Sequence, residues 1–295
     1  MKDYFERSMK ALQLAGMSAR TQEAYTRSVR KLVDFYGKTP DQLSEPELEE
    51  YFLHRGNVDK WSSATLRIAY SGVKFFFVNV LQRDWHIFTY LKSKKEKKLP
   101  CILDQEEVFR ILGCVKTFHN YACLSTIYAC GLRISEAIAI QASDIDGKRM
   151  MLHVHRGKGA KDRYVPLPEE AYHLLRRFWT THRNPVFVFP AVGRGHNEAA
   201  TTNRHMVLDS LQGAFRRAKF DARITKRRVT VHTLRHCYAT HLLEAGVNPR
   251  RVQRYMGHSC LETTMVYFHL TSKGAEEAVK LINETMKGFD DDFHN

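Results

Sequence analysis

From Ser62 onward, apolar side chains recur at Leu66, Tyr70, Val73, Phe77 and Val80, in steps of four and three. That spacing predicts one helix with a single buried stripe, its aromatics serving as core. Two helices are expected before it. Ser18 caps a run that continues to about Tyr36 and stops near Gly37, and Ser44 with Glu47 forms a capping box in which Pro46 suits the first turn. Residues 1–91 therefore read as an all-helical domain.

Another capping box, Asp104 to Glu107, opens a helix to about Cys114, and a second runs from about His119 to Cys130, ended by Gly131. The period then changes. Leu152 and Val154 alternate with His153 and His155, the turn Arg156–Lys161 carries two glycines, and Tyr164–Leu167 follows, which predicts a β-hairpin. Helical patterns return at about Glu169–His182, Asn203–Lys219, His232–Ala245, Pro249–Tyr255 and Leu261–Phe268. A last amphipathic segment spans about Lys273–Met286, and the tail 290–295 reads as frayed. The expected fold is mainly α with a small β-hairpin or sheet. The lysine-dense run Lys92–Pro100 reads as a basic interdomain linker, which sets a second domain at 101–271 and a C-terminal helix and tail at 272–295.

Composition adds the partner class. The 295 residues are 43% hydrophobic and 26% charged, enough for more than one core. No stretch approaches the roughly 18 apolar residues of a membrane span, and the first residues carry no apolar leader region. The expectation is a cytoplasmic protein without membrane contact, nucleoid-associated when bound. Six cysteines without a CxxC pair read as buried free thiols. A net charge of +14 and a pI of about 9.5 point to a polyanion, and nucleic acid leads because neutralised phosphates release counterions. Arg20, Arg27, Arg30, Lys31, Lys94, Lys95 and Lys161 are the candidate DNA-facing cations.

Five short motifs in the second domain carry chemistry only when taken together. Gly131-Leu-Arg133-Ile-Ser-Glu136 places an arginine at a helix start, suited to a phosphate, with Glu136 one turn on to orient it or neutralise it; alone it is an ordinary surface pair. Lys158 sits between two glycines at the hairpin tip, with Lys161 and Arg163 as nearby alternatives, and alone reads as a solvated turn lysine. A Walker phosphate loop is excluded by spacing. His232 and Arg235 share a helix face, which suits an anion whose reaction moves a proton. Zinc on His232 and His236 lacks a further ligand at recognisable spacing, so no metal is assigned. His258 follows Met-Gly, and Tyr267 follows Thr-Thr-Met-Val. Combined, two arginines, a lysine and two histidines around one tyrosine match phenol attack on a phosphodiester. Arg133 and Arg235 would neutralise the nonbridging oxygens, Tyr267 would be the nucleophile, and Lys158 the acid for the leaving oxygen. His232 would transfer a proton and His258 would donate to the phosphate. A phenol ionises near pH 10, so Tyr267 needs a cationic field or a base.

At these residues the chain resembles the tyrosine recombinase (phage integrase) family, which includes Xer recombinases and integron or transposon integrases. Gly-Leu-Arg133-Ile-Ser-Glu, Gly-Lys158-Gly, His232-Thr-Leu-Arg235-His, Met-Gly-His258 and Thr-Thr-Met-Val-Tyr267 fill the family's catalytic boxes; Met stands where Leu is usual before Gly-His. The resemblance implies a helical SAM-like core-binding domain joined to an α+β catalytic domain, closing as a clamp on double-stranded DNA. It implies a covalent 3′-phosphotyrosyl intermediate formed without metal, ATP or other cofactor. It further implies a homotetramer on two DNA sites, exchanging strands through a Holliday junction. The C-terminal segment, with Ala275, Ala278, Val279 and Ile282 on one face, would either dock on a neighbouring subunit or pack on its own. A partner recombinase or directionality factor is compatible with this scheme. Two other readings stay open on the residues alone: a non-catalytic sequence-specific DNA-binding protein, and a type IB topoisomerase-like relaxing enzyme.

Overall fold

The computed structural model describes residues 2–91, 99–155, 162–193, 198–268 and 271. Lys94, Lys95, Lys158, Lys161, most of the basic linker and the segment 272–295, apart from the tail of that range, were named above and lie outside the described residues, as does the tail itself. The chain divides into two units, Met1–Lys98 and Leu99–Asn295.

The first unit holds α1 (Lys2–Leu14), α2 (Ala19–Tyr36), α3 (Glu45–Asn57), α4 (Ser63–Asn79) and α5 (Ile87–Tyr90). Ser18 accepts the Thr21 N–H to start α2, and Gly37, at φ 64°, ends it in the left-handed conformation glycine tolerates. The stripe on α4 packs against α2 so closely that a Cβ at Gly72 would lie 2.9 Å from the Tyr25 Cα. Leu32, Leu48, Tyr51, Val73, Phe77 and Ile87 are fully buried there, each contributing about 1.5–3 kcal/mol of apolar transfer. Helix α1 escapes the sequence pattern because little of it is core: Leu12 is buried, while Phe5 and Leu14 are exposed.

Arg20, Arg27, Arg30 and Lys31 all lie exposed on α2. Arg27 pairs with Glu23 and Arg30 with Asp34 one turn away, while the Lys31 ammonium sits 5.0 Å from the Trp61 ring centre. Such exposed pairs contribute little to stability.

In the second unit, α6 (Gln105–Gly113), α7 (Phe118–Cys130) and the short α8 (Ile134–Ile138) precede strands β1 (Ile145–Asp146), β2 (Met151–Val154) and β3 (Arg163–Pro166). Helices α9 (Glu169–Trp179), α10 (Leu208–Asp221), α11 (Val231–Glu244), α12 (Pro249–Met256) and α13 (Glu262–Phe268) follow. The strands form an antiparallel sheet in the order β1-β2-β3, with Leu152 opposite Val165 and Val154 opposite Arg163. Strand β1 is an addition to the expected hairpin, too short for its period to show. Helix α10 starts five residues later than Asn203, because Ala191 and Met206 donate backbone N–H groups to Arg204 and Phe189, tying this stretch down as extended chain. Helix α9 stops at Trp179, short of His182, and Arg183 beyond it takes a positive φ of 48°.

The core of this unit surrounds α7, where Cys123, Leu124, Ile127 and Cys130 are fully buried and the helix packs against α11, α9 and α8. A smaller apolar cluster beneath α12 and α13 joins Tyr238, Leu243, Val252 and Met256 to Tyr267. All six cysteines are free, but Cys260 is exposed, contrary to the expectation that all are buried. Among the described residues no helix is long and apolar enough to cross a membrane.

Candidate active site

The turn between α7 and α8 sets the first arginine. Gly131 ends α7 at φ 61°, and a Cβ there would overlap the Tyr238 ring. Arg133 then begins α8. Its backbone N–H donates to Glu136 Oε2 at 2.8 Å, and its guanidinium donates to Glu136 Oε1 at 2.6 Å. Glu136 thus does orient Arg133, but its main partner is another residue. Arg163, facing inward from β3, grips both Glu136 oxygens at 2.9 and 2.8 Å and donates its Nε–H to the Tyr255 carbonyl at 2.8 Å. Buried and fully engaged, Arg163 is no mobile acid, which removes it as an alternative to Lys158.

Arg235 completes the arginine cluster. It is 2% exposed, the largest fully buried side chain described. It donates to the Gly131 carbonyl at 2.5 Å and to the Met256 carbonyl, so it joins the end of α7, α11 and the end of α12. It lies 3.8 Å from Glu136. Among the described residues these two hydrogen bonds use two of the five guanidinium N–H groups and leave three for an anion. Burial, with the neighbouring Arg133 charge, lowers its pKa to about 10, against the pull of Glu136. Burial works to raise the Glu136 pKa, yet the hydrogen bond and charge of Arg163, reinforced by Arg133, hold it at about 2. Three guanidiniums around one ionised carboxylate leave an excess of two positive charges.

The tyrosine approaches from α13. Tyr267 is 5% exposed, and its hydroxyl lies 2.7 Å from His236 Nδ1. His258 stacks on the Tyr267 ring at 6.0 Å between centres, its own Nδ1 held 2.9 Å from the Thr264 hydroxyl. His232, one turn before His236, lies with its ring 4.6 Å from that imidazole. Burial lowers His236 to about 4, helped by His232 and Arg235, and lowers His258 to about 3, helped by Arg235 and Arg133; His232 is lowered as well, by partial desolvation and then by Arg235 and Arg133. In all three the shift favours the neutral imidazole. The Tyr267 phenol is raised by burial, with Arg235 and Arg133 pulling the other way. The cationic field expected to activate the tyrosine is therefore present but outweighed by desolvation in the free protein.

Arg133, His232, Arg235, His258 and Tyr267 come together, with Glu136 at the centre of the arginines. Lys158 lies outside the described residues. Two members were named only for other roles. Arg163 had a visible signal: in the alternation Arg163-Tyr164-Val165 it shares the inward face with Val165, and a buried arginine needs a carboxylate. His236 was visible four residues after His232 but was weighed only as a metal ligand. Nothing local to it announces Tyr267, which is 31 residues away.

Residues 102–273 match the phage integrase family, and residues 4–87 match the phage integrase N-terminal SAM-like domain. The chain belongs to the phage integrase family. A tyrosine recombinase XerD of Oceanobacillus iheyensis is 33% identical over 276 residues, covering 87% of this chain and 89% of the relative. A Sinorhizobium fredii relative named as an integrase/recombinase, y4qK, is 38% identical over 192 residues; there the match spans 65% of this chain and 62% of the relative's length. Among solved structures, the lambda integrase dimer bound to a COC′ core site superposes with a TM-score of 0.72 at 16% identity, over 90% of this chain and 94% of that one. This last likeness concerns fold. It agrees with the mostly helical architecture, the SAM-like first domain and the α+β second one.

Proposed function

We propose that this chain is a site-specific DNA recombinase whose Tyr267 forms a covalent 3′-phosphotyrosyl link. The observation that carries the reading is the Tyr267 hydroxyl, which is seated on His236 and within the field of Arg133 and Arg235. A phosphodiester entering this cluster meets the excess positive charge, and the free N–H groups of Arg133 and Arg235 stabilise its nonbridging oxygens as charge grows on them. The Tyr267 oxygen bonds to phosphorus while the bond to the 5′-oxygen breaks, and the phenolic proton passes toward His236 Nδ1. The 5′-oxygen takes its proton from a general acid, the role the glycine-flanked motif assigns to Lys158. His258 donates from Nε2, since its Nδ1 is occupied by Thr264. Attack of a 5′-hydroxyl on the phosphotyrosyl bond reverses the step, so strand rejoining requires no nucleotide.

The substrate of this scheme is double-stranded DNA, which the net charge of +14 and the exposed cations of α2 favour. Two duplex sites held by four subunits, with a Holliday junction between the strand exchanges, follow from the same family logic. A duplex nicked near its cleavage point tests the chemistry, because cleavage releases a short fragment and traps the adduct. Wild-type protein accumulates a covalent species of protein plus DNA on a denaturing gel. Tyr267→Phe gives none while still shifting the duplex on a native gel. An adduct persisting in Tyr267→Phe removes Tyr267 from the role.

A further inference from the structure

The chemistry above leaves one cluster of ligating side chains unused, at the stem of the β2–β3 hairpin. Alternation along β2 sends Leu152 and Val154 into the core and brings His153 and His155 together on the other face. Their rings lie 4.0 Å apart, and Tyr164, opposite His153 on β3, stacks on that imidazole at 4.6 Å. The turn Ala142–Asp144 supplies a buried carboxylate. Asp144 Oδ1 is 2.5 Å from His155 Nε2, and Oδ2 accepts the Gln141 N–H at 2.8 Å. Just before β3, Asp162 Oδ2 lies 3.4 Å from His153 Nε2 and 3.7 Å from His155 Nδ1. One ligating atom from each of Asp144, His153 and His155 falls within 4.8 Å of the others.

We propose that His153 and His155 bind a divalent transition metal of the zinc type, with one of the carboxylates of Asp144 and Asp162 as a further ligand and the other supporting the His155 ring, which ties β2, β3 and the turn before β1 together. Two imidazoles suit zinc, nickel or copper, whereas magnesium and calcium seek oxygen donors alone. Around a tetrahedral ion with bonds of about 2.0–2.1 Å, ligand atoms stand roughly 3.3 Å apart. The contacts from Asp162 to both histidines already have about that spacing. His155 turns one ring nitrogen toward each carboxylate. Whichever carboxylate joins the ion, the other fixes the ring's tautomer, as in carboxylate–histidine–metal triads. A groove open to solvent runs over Asp144, His153 and His155 and gives an ion its way in. The same groove is also lined by Glu136, so the site adjoins the arginine cluster, but it uses none of the residues assigned to the phosphate chemistry and does not rest on that reading.

Full-length protein without a histidine tag, stripped with chelator, is titrated with Zn²⁺ by calorimetry and with Co²⁺ by absorbance. The expected result is uptake of one equivalent, with a cobalt spectrum of nitrogen and oxygen ligands and no thiolate charge-transfer band. His153→Ala/His155→Ala weakens binding at least 100-fold with an unchanged far-ultraviolet circular dichroism spectrum, and Asp162→Asn and Asp144→Asn each weaken it about tenfold. Should the double variant misfold, His153→Gln alone supplies the comparison, because its side chain is on the outer face of the strand. The proposal is overturned if wild-type protein takes up no ion saturably. It is equally overturned if the histidine variants bind as tightly as wild type, or if the cobalt spectrum reports thiolate ligands.

Discussion

Replacing Glu136 by glutamine keeps the shape and one acceptor oxygen but removes the charge on which three arginines converge. Its carboxyl is held at about 2 against an ordinary 4.5, a difference worth about 3 kcal/mol at neutral pH. The side chain is 6% exposed, so solvent screening takes little from that figure. Breaking a buried ion pair on one side costs about 3–5 kcal/mol in general, which agrees. For a unit of this size the expected fall in melting temperature is about 7–14 °C. Trp61 and Trp85 belong to the first unit and Trp179 to the second, so fluorescence of Trp179 in a Trp61→Phe/Trp85→Phe background reads the relevant unfolding alone. The pH dependence follows from the depressed pKa. The contribution is fully present above about 4.5 and is lost as pH falls toward about 2, so the gap between wild type and Glu136→Gln narrows over that window. A variant within about 1 kcal/mol of wild type at pH 7, or a gap that stays constant in acid, would refute the view that this carboxylate organises the arginines.

Gly131→Ala should cost about 2–5 kcal/mol in the same unfolding assay, from left-handed backbone strain and the overlap with Tyr238, and should lower adduct yield because Arg235 loses its seat on the Gly131 carbonyl. His236→Ala removes the acceptor beneath Tyr267 and should slow adduct formation about tenfold, the worth of one hydrogen bond, while duplex binding on a native gel is unchanged; His236→Gln, which keeps an acceptor, should recover part of the rate. Arg20→Gln should weaken duplex binding and reduce the slope of log affinity against log salt by about 0.9, read by fluorescence anisotropy across a salt series; an unchanged slope would take Arg20 off the phosphate backbone.

Much of this fold was legible because its signals are local. The four-and-three stripe of α4, the Ser18 and Ser44 starts and the period-two alternation of β2 each declare themselves within a few residues. What escaped depends on partners distant in sequence. The extended stretch before α10 exists because its backbone finds Phe189 and Ala191, and no propensity near Asn203 reports that. The site divides in the same way. The arginines, histidines and tyrosine stand in motifs, but Arg163 reaches Glu136 across 27 residues, and the Tyr267 latch comes from a histidine overlooked beside its more conspicuous neighbours.

Arg163 and His236 bear on how the charges of the proposed site are balanced in the free protein. Arg163 spends its fork on Glu136, so this pair is nearly self-neutral and serves as a pedestal; Arg133 and Arg235 supply the surplus charge. Holding Arg235 at about 10 means that burial already works against its charge, a cost that an arriving phosphate offsets. On the other side, burial keeps the phenol protonated and His236 is too weak a base to take the proton outright in the free protein. In the proposed reaction an attacking phenol would transfer its negative charge to phosphoryl oxygens lying against those arginines, so the favourable field would be felt most where the new bond forms. On the proposed mechanism desolvation would thus keep the free tyrosine protonated, while the same arginines would favour the transition state once a phosphate meets their N–H groups.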